Sequence, residues 1–223
     1  VTGPALVECR GAGRSYPGPT VALHPTTCTI PAAARVAMVG PSGSGKSTLL
    51  FLLAGLERPS CGEVLWPAIG DRRALRPGPV AMVFQGPSLL APLTVRENVG
   101  LPLQLGGASR HDVEARTADA LAAVGIEALA DGLPEELSGG QAQRVAVARA
   151  IAGSPRLILA DEPTGQLDHS AAANVMDALI AAADLTGAGL VVATHDPAIA
   201  GRLAVRWRLH DGRVHGTQEL TPA

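Results

Sequence analysis

Lysine is almost missing from this chain: of 18 basic residues only Lys46 is a lysine, and the others are arginines. Together with the Ala- and Gly-rich background, this reads as the coding bias of a GC-rich genome and carries no function by itself. Aromatics are nearly as scarce, with only Tyr16, Phe51, Trp66, Phe84 and Trp207. The core must therefore be aliphatic. No apolar run approaches the roughly 18 residues that a bilayer span requires, and the first residues lack a signal-peptide pattern. Work at a membrane is thus expected to depend on another chain. The net charge is −2, with no long basic run, so the electrostatic footprint of a nucleic-acid binder is missing and no nucleic-acid partner is expected. Cys9, Cys28 and Cys61 are scattered and lack metal-binding spacing, and are expected as free thiols in a reducing compartment. What is present is 223 residues, 47% of them hydrophobic. That suits one large α/β domain with a substantial core, or one core with an inserted subdomain.

The lone lysine stands in Gly40-Pro41-Ser42-Gly43-Ser44-Gly45-Lys46-Ser47, which reads G-x-x-x-x-G-K-S and is followed directly by Thr48. Bringing successive backbone N–H groups onto phosphate oxygens requires a tight curl, and glycine allows it because it has no Cβ to clash. A helix opening near Ser47 points its positive end at the same anion. Lys46 is placed to reach the β- and γ-phosphates, and the Ser47 hydroxyl to bind Mg²⁺. Arg35 to Val39 reads as a strand and Leu49 to Leu53 as a helical start, the context this motif needs. The bland alternative is a Gly/Ser-rich linker. An arginine background that keeps its one lysine here argues against it.

Residues 1–34 read as short β segments (Ala5 to Cys9, Val21 to Leu23, Thr27 to Ile30) separated by turns such as Pro17-Gly18-Pro19. Tyr16, upstream of the P-loop, either stacks on an adenine or is a strand-edge tyrosine, and local sequence leaves both open. Glu57 to Pro79 lacks periodicity apart from a possible strand at Gly62 to Trp66. Val80 to Phe84 is a clearer strand. Residues 88–107 look like loops and short helices. Ser109 to Val124 is a helix with a capping-box start, ended by Gly125. Ser138-Gly139-Gly140 opens a helix of small residues, Gln141 to Ala152, a second anion site on general grounds and weak evidence alone.

The apolar run Arg156 to Ala160 delivers Asp161 and Glu162 at a strand's C-terminal end, where ligands sit in open α/β sheets. There Asp161 would hold Mg²⁺ and its waters, and Glu162 would orient or deprotonate the attacking water. An acidic turn capping the next helix is the alternative, and the P-loop tips the choice. Asp168 or Ser170 caps a helix through Ala183. Gly189 to Thr194 is another strand, with His195 and Asp196 at its end; a histidine at that sheet edge favours a catalytic reading over a structural one. Val205 to His215 reads as a hairpin around Asp211-Gly212.

Together these residues resemble the nucleotide-binding subunit of ATP-binding cassette (ABC) transporters over nearly the whole chain. Gly40 to Ser47 matches Walker A, Leu137-Ser138-Gly139-Gly140-Gln141 the family signature, and Leu157 to Glu162 Walker B with its glutamate. Gln85 matches the Q-loop glutamine, Gly165 to Asp168 the D-loop, and His195 the switch histidine. The signature is the specific element, because most P-loop ATPases lack it. Leu93 to Val99, Asp161 to Gly165 and Thr194 to Pro197 resemble the macrolide-exporter, lipoprotein-releasing and cell-division subgroup, although Gln166 stands where that subgroup usually has Asn.

The resemblance implies an α/β P-loop NTPase (RecA-like) core with a mostly parallel sheet, an N-terminal antiparallel β subdomain and an inserted helical subdomain at about 87–150, all within one domain spanning 1–223. It implies an ATPase using ATP and Mg²⁺. Glu162, His195, Lys46 and Gln85 are the expected catalytic residues. Tyr16, Gly40 to Thr48, Ser138, Gly139, Gly140, Gln141 and Asp168 are expected to bind nucleotide, and Ser47, Gln85 and Asp161 the metal. It further implies a head-to-tail dimer, with a second copy of the chain as the expected partner. Each ATP would lie between Walker A of one subunit and Ser138-Gly139-Gly140 of the other. A membrane permease is expected to dock near Gln85 to Val99, placing the chain peripherally at the cytoplasmic face. A force-transmitting, non-transporting ATPase of the cell-division kind is the alternative function. A soluble DNA-repair or translation ATPase is disfavoured by the single cassette, without heptads or Cys/His clusters.

Overall fold

The four apolar runs expected as strands, beginning at Arg35, Val80, Arg156 and Gly189, lie side by side in one sheet. The computed structural model describes residues 3–18 and 20–219, without the side chains of 217–219; Pro19, part of the expected Pro17-Gly18-Pro19 turn, lies outside the described residues. In chain order the strands are β1 (Val7–Ser15), β2 (Val21–Ile30), β3 (Arg35–Val39), β4 (Cys61–Leu65), β5 (Val80–Val83), β6 (Leu157–Asp161), β7 (Gly189–Thr194), β8 (Val205–His210) and β9 (Arg213–Glu219). The helices are α1 (Lys46–Leu53), α2 (Val95–Leu105), α3 (Arg110–Ala123), α4 (Gly139–Ile151), α5 (His169–Thr186) and the single turn α6 (Pro197–Ala200).

The main sheet has the order β5-β6-β7-β3-β8-β9. All its pairs are parallel except the closing β8–β9 hairpin. A second sheet, β2-β1-β4, is antiparallel. The fold is thus the expected one, an α/β core with a mostly parallel sheet and an N-terminal antiparallel sheet.

Both faces of the sheet's centre are covered, which is why β6 and β7 read as continuous apolar runs. Along β6, Leu157 and Leu159 face a cluster containing Leu49, Leu50 and Leu53 of α1. The alternate residues, Ile158 and Ala160, face Val145 of α4 and Val175, Met176 and Leu179 of α5. Each fully buried side chain of this size contributes about 1.5–3 kcal/mol relative to exposure.

Two segments differ from expectation. The short β segments of residues 1–34 merge into two long strands. Pro25 is accommodated inside β2 because the β1–β2 register shifts near it, between Ala12↔Thr26 and Arg14↔Leu23, so its missing N–H interrupts no regular ladder. Residues 88–107 contain a true helix, α2. Thr94 accepts from Glu97 N–H while the Glu97 carboxylate accepts from Thr94 N–H, a complete capping box. Elsewhere the expected caps hold, with Ser109 capping α3, Gly125 following it at φ 64°, and Asp168, not Ser170, capping α5, which runs past the expected Ala183 to Thr186.

Candidate functional site

Four parallel strands end at the same edge. β5 leads into Phe84 and Gln85, β6 into Glu162, β7 into His195 and β3 into Gly40, in the spatial order β5-β6-β7-β3. Strand register makes the convergence tight: Asp161 lies opposite Ala193 and Val39 opposite Thr194. Glu162 N–H continues the ladder to the Ala193 carbonyl at 2.9 Å. The carboxyl edge of an open parallel sheet is where such folds bind ligands.

The loop 40–45 is shaped by close backbone approach. A Cβ on Gly40 would lie 2.2 Å from the Leu209 carbonyl oxygen, and one on Gly45, at φ +96°, 2.6 Å from that of Ala22. Gly45 is the N-cap of α1, and no side chain caps that helix. Its first amides are therefore free to meet an anion. Lys46 is buried, its Nζ donating to the carbonyls of Gly40 at 2.8 Å and Pro41 at 3.1 Å. An open cleft of about 700 Å³ is lined by residues 41–48 together with Gln85, Glu162 and His195. Thr20, Val21 and Ala22 also line it; the sequence, in which Val21 to Leu23 read only as a β segment, gave no signal of this role.

The charged groups in the cleft form a chain. Glu162 Oε1 lies 3.3 Å from Lys46 Nζ, and its Oε2 lies 2.9 Å from His195 Nδ1. Glu162 takes φ 45°, the left-handed region that a non-glycine residue occupies only when its surroundings impose it. Next to this pair in the chain, Ser47 Oγ donates to Asp161 Oδ1 at 3.0 Å. Burial raises the Asp161 carboxyl pKa and the Ser47 hydrogen bond opposes that shift; nearby Glu162 raises it further and Lys46 lowers it. A hydroxyl and a carboxylate oxygen side by side beside a phosphate loop make a hard-oxygen donor pair, the chemistry Mg²⁺ prefers when phosphates supply its other ligands. The donor set fits that ion.

Other sequence candidates lie elsewhere. Ser138 caps α4 in a capping box with Gln141, and Ser138, Gly140, Gln141 and Asp168 line a separate pocket of about 250 Å³. Asp168 Oδ1 accepts from Ala171 N–H at 2.9 Å as the cap of α5. Within one chain these residues do not share the Lys46 cleft. Tyr16 is not among the residues lining that cleft either. Its hydroxyl donates to Glu57, and Arg14 lies over its ring, 4.8 Å from the centroid. Gln85 is at the cleft, and the segment after β5 is pinned by Gln143, which the sequence did not flag, and by Asn98 of the Leu93 to Val99 motif. Gln143 Nε2 donates to the Phe84 carbonyl at 2.8 Å. Asn98, fully buried, binds Leu90 N–H and the carbonyls of Leu90, Leu93 and Thr94.

Residues 23–165 match the family described as ABC transporter. The chain belongs to the ABC transporter ATP-binding family. Consistent with this, it is 39% identical over 219 residues to the lipoprotein-releasing system ATP-binding protein LolD of Chromohalobacter salexigens, covering 94% of this chain and 92% of that one. It is also similar to a dimeric, post-hydrolysis structure of the ATP-binding cassette MJ0796 bound to ADP and Pi, with TM-score 0.85, 35% identity and coverage of 96% of this chain and 99% of that one. A third similarity is to cbiO1 from Clostridium perfringens, part of the cbiONQ ABC transporter complex, with TM-score 0.86, 27% identity and coverage of 96% and 88%. The cassette is thus an ABC-type ATP-binding and ATP-hydrolysing subunit. Among its described residues no helix is long and apolar enough to cross a membrane.

Proposed function

We propose that this cassette drives a membrane permease by closing, with a second copy of itself, around two ATP molecules and then hydrolysing them with the aid of Mg²⁺. The observation that carries the reading is the carboxylate of Glu162, held between Lys46 at 3.3 Å and His195 at 2.9 Å at the mouth of the P-loop. Lys46 and the first amides of α1 bind the phosphates. Ser47, Asp161 and Gln85 would hold the metal, which when bound would offset charge on the phosphate oxygens. Glu162 accepts a proton from the attacking water, and His195 fixes that carboxylate's direction. Tyr16 serves the adenine end of the nucleotide.

Ser138-Gly139-Gly140, Gln141 and Asp168 act on the nucleotide of the opposing copy, which fits their placement in a separate pocket. The chain is one nucleotide-binding domain, with a helical subdomain at about 87–150 inserted between β5 and β6. It works at the cytoplasmic face of the membrane, attached through the permease. The permease seats not on the loop 85–99 alone but in an apolar groove of about 460 Å³ beside it, whose walls include Leu56, Met82, Phe84, Leu101 and Leu105. Leu105 is 73% exposed and Leu56 42%, large apolar side chains open to solvent in the single chain. Likeness to a lipoprotein-releasing ATP-binding protein over 94% of the chain favours transport over the cell-division alternative.

The test is gel filtration of the Glu162→Gln chain with Mg-ATP. The expected result is a stable dimer that retains ATP and releases almost no phosphate. A monomer with bound ATP, or wild-type turnover, would overturn the reading.

A further inference from the structure

Beyond the nucleotide cleft, one surface depression gathers several guanidinium groups. A depression of about 490 Å³ is lined by Arg58, Arg72, Arg73 and Arg76, with Asp71 as its single carboxylate and Gly55 and Leu56 as its apolar base. Asp71 is already engaged, since Oδ1 accepts from the Arg73 N–H at 2.8 Å as the cap of a 3-10 turn. None of the four arginines takes part in any ion pair among the described residues. Two of them donate to backbone instead, Arg76 to the Ala54 carbonyl and Arg72 to that of Leu56. Burial lowers the Arg76 pKa, and the neighbouring Arg72 charge lowers it further. Arg72 Nε is buried without a hydrogen-bond partner. A buried, unpaired guanidinium N–H is costly, and like charges this close repel.

The depression is continuous with the docking groove, because Leu56 and Arg76 line both. The groove's own rim adds one more basic group, Arg149, and no Asp or Glu. A single occupant that satisfies both halves needs an apolar face for the groove and carboxylates at the end that reaches the arginines. Planar guanidinium groups bind carboxylates in pairs of hydrogen bonds, which makes the contact selective as well as attractive.

We propose that the arginine depression is a carboxylate-recognition site for the permease: the docking segment is an amphipathic helix whose acidic end enters between Arg72, Arg73 and Arg76. This inference rests on the groove being the permease's seat. Charge complementarity at such a contact discriminates among partners more than it adds affinity. The arginines would accordingly decide which permease this cassette serves in a cell with several.

The experiment uses the complex of the full cassette with its permease, trapped with the Glu162→Gln chain and ATP. A photo-crosslinking residue is placed at Arg73 or, separately, at Leu105, and the crosslinked permease peptides are mapped by mass spectrometry. The expected result is that both positions capture one cytoplasmic helix of the permease, with Arg73 capturing an end that carries Asp or Glu. In the complex with Glu162 intact, reversing the arginines (Arg72→Glu with Arg73→Glu) should lower permease-stimulated turnover at least tenfold, and reversing the captured acidic residue in the permease should restore it. If Leu105 captures the permease while Arg73 captures lipid, or a segment without carboxylates, the acidic-end proposal fails and the groove remains. If Leu105 captures no permease, the docking reading itself fails. Full stimulated turnover in the doubly reversed chain would also overturn the proposal.

Discussion

His195 Nδ1 and Glu162 Oε2 lie 2.9 Å apart although 33 residues separate them in the chain. The pairing exists because β6 and β7 are parallel neighbours whose ends are in register, so the residues just past each strand meet. Glu162 is the more buried of the two, its side chain 16% exposed against 65% for His195. His195 thus lies on the open side of the pair, where the proposed mechanism has it hold the Glu162 carboxylate.

Replacing either residue separates chemistry from binding. Glu162→Gln keeps the shape and one acceptor but removes the base, so turnover should fall by about 10²–10⁴-fold, the usual worth of a positioned general base. His195→Ala should also reduce turnover, by a smaller factor, because the base remains and only its alignment is lost. ATP affinity, read by calorimetry, should stay near wild type in both. A parallel loss of affinity and turnover would place these residues in binding instead.

The Ser47–Asp161 contact, 3.0 Å between Oγ and Oδ1, predicts a metal-specific defect. In Asp161→Asn and Ser47→Ala the Mg²⁺ concentration for half-maximal turnover should rise by at least the roughly tenfold seen when ligand shells are disturbed. ATP binding in the presence of a chelator should change little. Equal sensitivity of the mutants and wild type to magnesium would remove this pair from the metal site.

Two glycines of the P-loop should respond differently to a methyl group. At Gly43, φ is +78° and nothing lies within 4 Å of a built Cβ; at Gly45, φ is +96° and the Ala22 carbonyl oxygen would be only 2.6 Å away. Gly43→Ala should cost about 1 kcal/mol of stability, the left-handed penalty alone. Gly45→Ala adds a backbone clash and should cost about 2–4 kcal/mol. Urea melts of the two variants check the order.

Much of this site was legible because its elements are local. The β3 strand, the glycine loop and the start of α1 are contiguous, and the β6 and β7 runs are apolar throughout because both sheet faces are covered. What escaped depends on contacts distant in sequence. Tyr16 is tied to Glu57, 41 residues away, and nothing around Tyr16 announces that tie. The helix α2 was readable in principle, since Thr94 and Glu97 have capping-box spacing, but Pro102 within it and prolines before it masked the period. The apolar groove could not be read at all, because Leu56, Met82, Leu101 and Leu105 come from separate segments and look like core residues in sequence.

Asn98 stood in the Leu93 to Val99 motif, but the sequence did not show what its side chain does. Its side chain is completely buried and binds one N–H and three carbonyls of residues 90–94. Asn98→Ala strands several of those groups away from water, at roughly 1–3 kcal/mol for each one left unsatisfied. A loss of about 2–4 kcal/mol in denaturant unfolding is expected, with faster hydrogen exchange confined to residues 88–94. Asn98→Asp, which retains an acceptor for Leu90 N–H but no donors, should not rescue it.

The placement of Ser138 and Lys46 in different pockets of one chain leads to the sharpest test of how two copies cooperate. Lys46→Ala removes the phosphate-binding ammonium, and Ser138→Arg blocks the signature helix start, so each variant alone should be inactive. If each ATP site combines Lys46 of one copy with Ser138 of the other, a mixed dimer of the two variants carries both defects in one site and neither in the second. Mixing the inactive proteins should therefore recover activity, up to about a quarter of wild type at equal amounts if the two sites act independently. If instead Lys46 and Ser138 of the same chain served one nucleotide, every site in the mixture would be damaged and no activity would return. Phosphate release measured across mixing ratios separates these outcomes, and a maximum at equal proportions is the signature of a site shared between copies.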